Sequence, residues 1–139
     1  MIREHYAAVR AMLPATVNVY MWSVPGTPTY PYVVLWGSAG DESSGGTDDG
    51  ESLEANRMDV FETRIRATYA GVNGDSMLIV CRNVRAALNR KTPTVAGWKP
   101  GKLKQSSLMD AQPDTSITFS NGTHPVYAVD EFSLTSHKL

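Results

Sequence analysis

The sequence predicts an α+β fold: a mostly antiparallel sheet flanked by two helices, with one long acidic loop between central strands. Three observations lead there. The run Val60–Ala70 alternates, with Phe61, Ile65 and Tyr69 on one side and Glu62, Arg64, Arg66 and Thr68 on the other, the period of a strand with one buried and one wet face. After the turn GVNGDS, the segment SMLIVCRNVRAALNRK sets Met77, Val80, Cys81, Val84 and Leu88 on one stripe, the period of an amphipathic helix. Asn121-Gly122 stands between two β-like runs, and both residues tolerate positive φ, so the pair predicts a hairpin.

The remaining elements follow in order. Ile2, Tyr6, Val9 and Leu13 share one helical face, and Pro14 ends that helix. Val17–Trp22 alternates as a first strand. The turn-rich VPGTPTYP leads into Tyr32–Trp36, apolar on both faces, which suits the middle of a sheet with a helix layer nearby. Gly37–Met58 is too polar to pack a core and too long for a plain turn, so it reads as an insertion within one domain spanning residues 1–139. Asp75 or Ser76 is positioned to cap the second helix. PTVAGWKPGK, with two Pro and two Gly, reads as a loop or broken edge segment. Ser116–Ser120 and Thr123–Leu134 are the hairpin strands. In the latter, Tyr127 and Val129 fall on one face and Phe132 and Leu134 on the other, which calls for a bulge at Asp130-Glu131.

Bulk composition narrows function. A chain of 139 residues with 42 % apolar and 19 % charged content can bury a core. The net charge of −1 gives no global pull toward nucleic acid or anionic membrane. The single cysteine, Cys81, excludes an internal disulfide and reads as a small buried hydrophobe. The charged N-terminal MIREHYAAVRAML does not fit a signal peptide, and no apolar run reaches the ~20 residues of a membrane span, so synthesis in a reducing cytoplasm is expected.

Catalytic patterns are missing. His5, His124 and His137 have no ligand spacing to one another or to Cys81, so no metal site is expected. GWKPGK departs from a phosphate loop in both spacing and its final residue, and Gly71-Val72-Asn73-Gly74 lacks the third glycine of a dinucleotide fingerprint. Asp130 and Glu131, adjacent on a strand, point to opposite faces and cannot converge as an acid/base couple. No enzyme activity and no cofactor are expected.

Charge is nonetheless segregated. Asp41, Glu42, Asp48, Asp49, Glu51 and Glu54 crowd the long loop, whereas Arg82, Arg85, Arg90, Lys91, Lys99, Lys102 and Lys104 occur in a stretch from Ser76 to Met109 without any acid. A solvated loop and a helix with C-terminal cations would produce part of this pattern. A head-to-tail oligomer, in which an acidic loop meets a neighbour's basic flank, would produce all of it.

Taken together, YPYVVLWGS, the Gly/Asp loop, RIRATYAG, the turn GDS, VCRNVRAALN and the closing VYAVDEFSL resemble the tail terminator (tail completion) proteins of long-tailed, non-contractile bacteriophages. The likeness runs from Ile2 to Leu134. It implies a hexameric ring that caps the tail tube, ends its polymerisation, joins the head connector and lets DNA pass through its lumen without sequence-specific binding. The implied place is the virion neck, and the implied partners are further copies of the chain, the major tail tube protein and the head-completion protein. On that resemblance, Gly40–Arg57, including Arg57 itself, faces a partner, and Arg64, Arg66, Arg82 and Arg85 point outward as contacts between subunits. Two other readings stand beside it: another neck protein such as the head-completion stopper, and a small intracellular module that binds nucleic acid or a ligand through the basic segment 82–104.

Overall fold

The computed structural model describes residues 2–43 and 60–139. Two helices and a seven-stranded sheet make an α+β architecture. The elements are α1 (Ile2–Ala11), β1 (Asn18–Met21), β2 (Tyr32–Gly37), β3 (Asp41–Ser43), β4 (Val60–Gly71), α2 (Gly74–Leu88), β5 (Trp98–Pro100), β6 (Lys104–Pro113) and β7 (Val126–Lys138). The sheet runs β1-β2-β4-β7-β5, with β3 added to β4 and β6 added to β7. All pairs are antiparallel except β1 with β2.

The β4–β7 pair organises the sheet. Its register runs from Val60↔His137 to Gly71↔Val126 without interruption. Strand period then sorts side chains to two faces. Ile65, Ala67, Tyr69, Phe132 and Leu134 turn toward the helices and join Val33 and Leu35 of β2 in the main core. Tyr6 and Val9 of α1 and Met77, Val80, Cys81, Val84 and Leu88 of α2 cover that face. On the outer face a smaller cluster forms from Tyr32, Val34 and Ala70, with Tyr20, Tyr30, Trp36 and Tyr127 packed against it. Strand β2 is therefore apolar on both faces because both are covered.

The two-sided cover corrects the bulge expected at Asp130-Glu131. β7 keeps its register against β4, and Tyr127 simply belongs to the outer cluster while Phe132 and Leu134 belong to the inner core. The register shifts lie instead in the neighbouring strand, at Ser107/Met109 and Met109/Gln112 of β6.

The hairpin prediction is also corrected. Asn121-Gly122 does form a turn, with Gly122 at φ 86° and its N–H donating to the Phe119 carbonyl at 2.9 Å. Of the two strands it was expected to join, Ser116–Ser120 is not a strand, and Thr123–Leu134 becomes one only from Val126, as β7. Side chains of Asp114 and Asn121 accept backbone N–H groups of Ser116 and Thr123, which competes with a ladder. Phe119 packs edge-on to Tyr30, at 5.5 Å between ring centroids, so residues 114–125 fold over the outer face. The hairpin partners are β6 and β7, joined through that excursion. β6 escaped the sequence reading because it is an edge strand exposed along almost its whole length and carries no apolar alternation.

Local chemistry sets the element ends. Helix α2 is capped by Asn73 rather than by Asp75 or Ser76. The Asn73 side chain accepts from the Ser76 N–H at 2.9 Å, and the Ser76 hydroxyl accepts from the Asn73 N–H at 3.3 Å, a reciprocal capping box. Gly71 makes the close strand-to-helix approach possible, since a Cβ there would strike the Ser76 hydroxyl and the Met77 backbone. Gly37, at φ 147°, lets the chain leave β2 beneath the Tyr6 hydroxyl, which donates to the Ser38 carbonyl at 2.7 Å.

Gly71→Ala is expected to cost about 1–3 kcal/mol through overpacking at this junction. Gly74→Ala, whose Cβ would meet nothing, should leave stability unchanged or slightly raise it. Urea denaturation of the two variants side by side checks the contrast.

Candidate functional site

The adjacent acids of β7 occupy opposite sides of the sheet, as strand geometry requires, and each gathers its own arginine chemistry. On the inner face Asp130 is 2 % exposed. Its carboxylate accepts from Arg85 Nε at 2.6 Å and Arg85 Nη2 at 2.8 Å, from the Tyr69 hydroxyl at 2.7 Å and from Gln105 Nε2 at 3.1 Å. This bidentate, fully satisfied cluster ties α2, β4, β6 and β7 to one point. Burial pushes the Asp130 carboxyl up, but the hydrogen bonds from Arg85, Tyr69 and Gln105 outweigh it and hold the group below the usual carboxylate range. Burial, together with the neighbouring Asp130 charge, pushes the Tyr69 hydroxyl well above its ordinary value.

Arg85 is exposed, as its helical angle predicts, and also binds within its own chain. Its side chain stays at the helix margin, 43 % exposed, but the guanidinium turns back onto Asp130. Arg82, one strip further round the helix, is exposed as predicted. The sequence did hold a sign of the cluster: Asp130 shares strand parity with Phe132 and Leu134, which places a carboxylate in an apolar face. Gln105 and the Tyr69 hydroxyl had no such sign, because their roles depend on strand pairing.

On the outer face Glu131 sits between two cations. Arg66 Nε lies 3.3 Å and Arg64 Nε 3.9 Å from its carboxylate. The Arg66 guanidinium also stacks over the Trp36 ring at 5.1 Å, and Trp36 Nε1 donates to the Thr68 hydroxyl at 2.8 Å. Both arginines are on the wet face as expected, but they already share a carboxylate of their own chain.

Asp41 and Glu42 lie exposed on β3, so the start of the predicted loop is a strand paired to Val60–Glu62. Asp48, Asp49, Glu51, Glu54 and Arg57 lie outside the described residues. A polar groove of about 260 Å³ is lined by Asp41, Glu62, Thr63, Arg64 and Ser133. A second recess, of about 130 Å³, lies beneath the 114–125 excursion between Tyr30, Tyr32, Thr68 and Tyr127.

None of these places assembles reactive groups. Burial raises the Cys81 thiol above its ordinary range, opposite to what a nucleophile needs. His5 is enclosed, hydrogen-bonded through Nε2 to the Ser136 hydroxyl at 2.8 Å and flanked by Phe61 and Trp98. Among the described residues no three of His, Cys, Asp or Glu come together as a metal site, and no helix is long and apolar enough to cross a membrane.

Removing Arg85 would strand a buried carboxylate, so Arg85→Ala is expected to cost about 2–4 kcal/mol, reduced from a fully buried pair because the arginine is partly solvated. Because the folded Asp130 carboxyl is depressed, its stabilisation is complete above the unfolded-chain value near 3.9 and is lost as pH falls through the folded value. Asp130→Asn should therefore flatten the acid limb of a stability-against-pH curve measured by denaturant titration.

No protein-family model and no curated protein matches the chain. Among solved structures it is similar to a chain of the virion of a native gene transfer agent (GTA) particle. The TM-score is 0.60 at 14 % identity, with 93 % of this chain and 92 % of that chain covered. At that identity the likeness is one of fold, and it extends across nearly the whole of both chains.

Proposed function

We propose that this chain is a structural assembly protein of a phage-like particle, and specifically a tail terminator: copies close into a six-membered ring on the finished tail tube, stop its growth and present a surface to the head connector. The observation that carries the reading is the fold shared over nearly full length with a chain of the gene transfer agent virion. Three features support it. The polar clusters are self-satisfied structural contacts, with no reactive group held ready. The end of the outer face where β4 starts and β7 finishes, and the margins beside it, carry exposed charges, which suits docking rather than turnover. The sequence of the Gly40–Arg57 stretch is rich in acids, and acids lining a channel would keep DNA sliding by repulsion from its phosphates.

One observation favours the nucleic-acid reading. The fold gathers Arg90 and Lys91 beside Lys102 and Lys104, through the Arg90 N–H to Leu103 carbonyl and Leu103 N–H to Lys91 carbonyl bonds of 2.8 and 2.9 Å. Against it, Trp98, the aromatic of that segment, stacks edge-on against buried His5 and offers no open platform for bases.

Addition of the protein to polymerising tail tubes should shorten and narrow the tube length distribution as the ratio of protein to tube subunit rises. Unchanged lengths with binding only to the head connector would indicate the stopper role. Unchanged lengths with binding to random duplex DNA that weakens steeply with salt would indicate the nucleic-acid module.

A further inference from the structure

We infer that copies of this chain join head to tail by setting the β3 margin of one sheet against the β5–β6 margin of the next. The inference deepens the ring reading above and depends on it for closure of the assembly, though not for the contact itself.

The argument begins with register. At the end of the sheet where β4 starts and β7 finishes, four strands lie side by side in the order β3-β4-β7-β5. One row reads Ser43, Val60, His137, Lys99, and the next but one reads Asp41, Glu62, Thr135. The row beyond places Arg64, Ser133 and Lys104 together. All of these side chains belong to the outer face, because Phe61 and Ser136 alternate with them toward the helices. The two margins are three strand spacings apart, about 14 Å.

Charge divides across that width. The β3 margin carries Asp41 on the outer face and Glu42 in the Phe61 row, with Glu62 beside Asp41 on the adjoining β4, all exposed. The β5–β6 margin carries Lys99, Lys102 and Lys104, also exposed, with Lys91 held beside them by the backbone bonds to Leu103. None of these seven side chains forms an ion pair among the described residues. Asp110 lies further along β6, opposite the start of β7 and away from this end. At the centre Arg66 pairs with Glu131 at 3.3 Å, while Arg64, 69 % exposed and 3.9 Å from the same carboxylate, is held only weakly.

Charged edge strands commonly serve to prevent edge-to-edge pairing. At this end of the sheet the signs of the edge residues are separated between the two edges. Like edges of two copies repel, while opposite edges attract. The contact so favoured is heterologous, one patch meeting a different patch, and repeats from copy to copy. The partner that fits is thus a second copy, and the charges set its register and orientation.

The test uses two triple reversals of exposed residues. The first is Lys99→Glu/Lys102→Glu/Lys104→Glu, acidic on both margins. The second is Asp41→Lys/Glu42→Lys/Glu62→Lys, basic on both. Light scattering across a concentration series should show wild-type association at low ionic strength that weakens between about 50 and 500 mM salt as charges are screened. Each reversed variant alone should associate at least roughly tenfold more weakly, with circular dichroism and melting unchanged, and an equimolar mixture of the two should recover association. Wild-type protein that stays monomeric at low ionic strength, or associates with no salt dependence, overturns the inference without any variant. So does a reversed variant that associates like wild type, or a mixture that fails to recover. The tail-tube assay separates the two readings. Reversed variants that still limit tube length would overturn the edge contact and leave the terminator role standing. Wild-type association that obeys the charge rule without any effect on tubes would overturn the terminator role and leave the contact standing.

Discussion

The antiparallel pairing of β4 with β7 is the constraint to which the rest of the molecule answers. Twelve consecutive residue pairs hold one register, and a slip by a single residue would exchange the inner and outer faces along the whole length. Ile65, Tyr69, Phe132 and Leu134 prevent that exchange, since it would bring them into water and draw Arg64, Arg66 and Glu131 beneath the helices. The pairing also supplies the platform on which every other strand is laid: β2 and β3 along the free side of β4, β5 and β6 along the free side of β7.

That constraint gives two adjacent carboxylates different lives. Asp130 is desolvated and would be costly alone, so its place is maintained by a bidentate arginine, a tyrosine hydroxyl and an amide. The arrangement fastens α2 to three strands and gives the helix one orientation on the sheet. Glu131, a residue away, sits at the surface between two arginines, where solvent and screening keep each pair weak. The same two arginines therefore remain available to adjust when something covers the outer face, whereas the Asp130 cluster behaves as part of the core.

The distribution of cover over the sheet relates fold to function. The inner face is closed by two helices and the upper outer face by the tyrosine cluster and the 114–125 excursion. What stays open on the outer face is the charged end where β4 starts and β7 finishes, together with its two margins. Among the described residues no buried side-chain polar atom lacks a hydrogen-bond partner, and the fold is shared over nearly full length with a chain of a gene transfer agent virion.

Local pattern decided the helices, the alternation of β4 and the two-sided burial of β2, because helix and strand periods are written in consecutive residues. It also separated Asp130 from Glu131 by parity alone. It could not reveal β6, whose polar residues owe their strand form to hydrogen bonds from β7, nor the true hairpin, because Asn121-Gly122 marks a turn inside a longer excursion that Phe119 pins to Tyr30. The mistaken bulge has the same origin: a change of apolar parity looks alike whether the strand kinks or both faces are buried. The helical angle of Arg85 predicts its exposure, but only the approach of a buried carboxylate from a strand 45 positions away decides what its guanidinium binds. The convergence of lysines from the α2 terminus and from β5 and β6, opposite the acids of β3, likewise arises from strand order. Sequence neighbours determine which face a residue takes, but which residues share that face is decided by pairing between distant segments, and no local period encodes it.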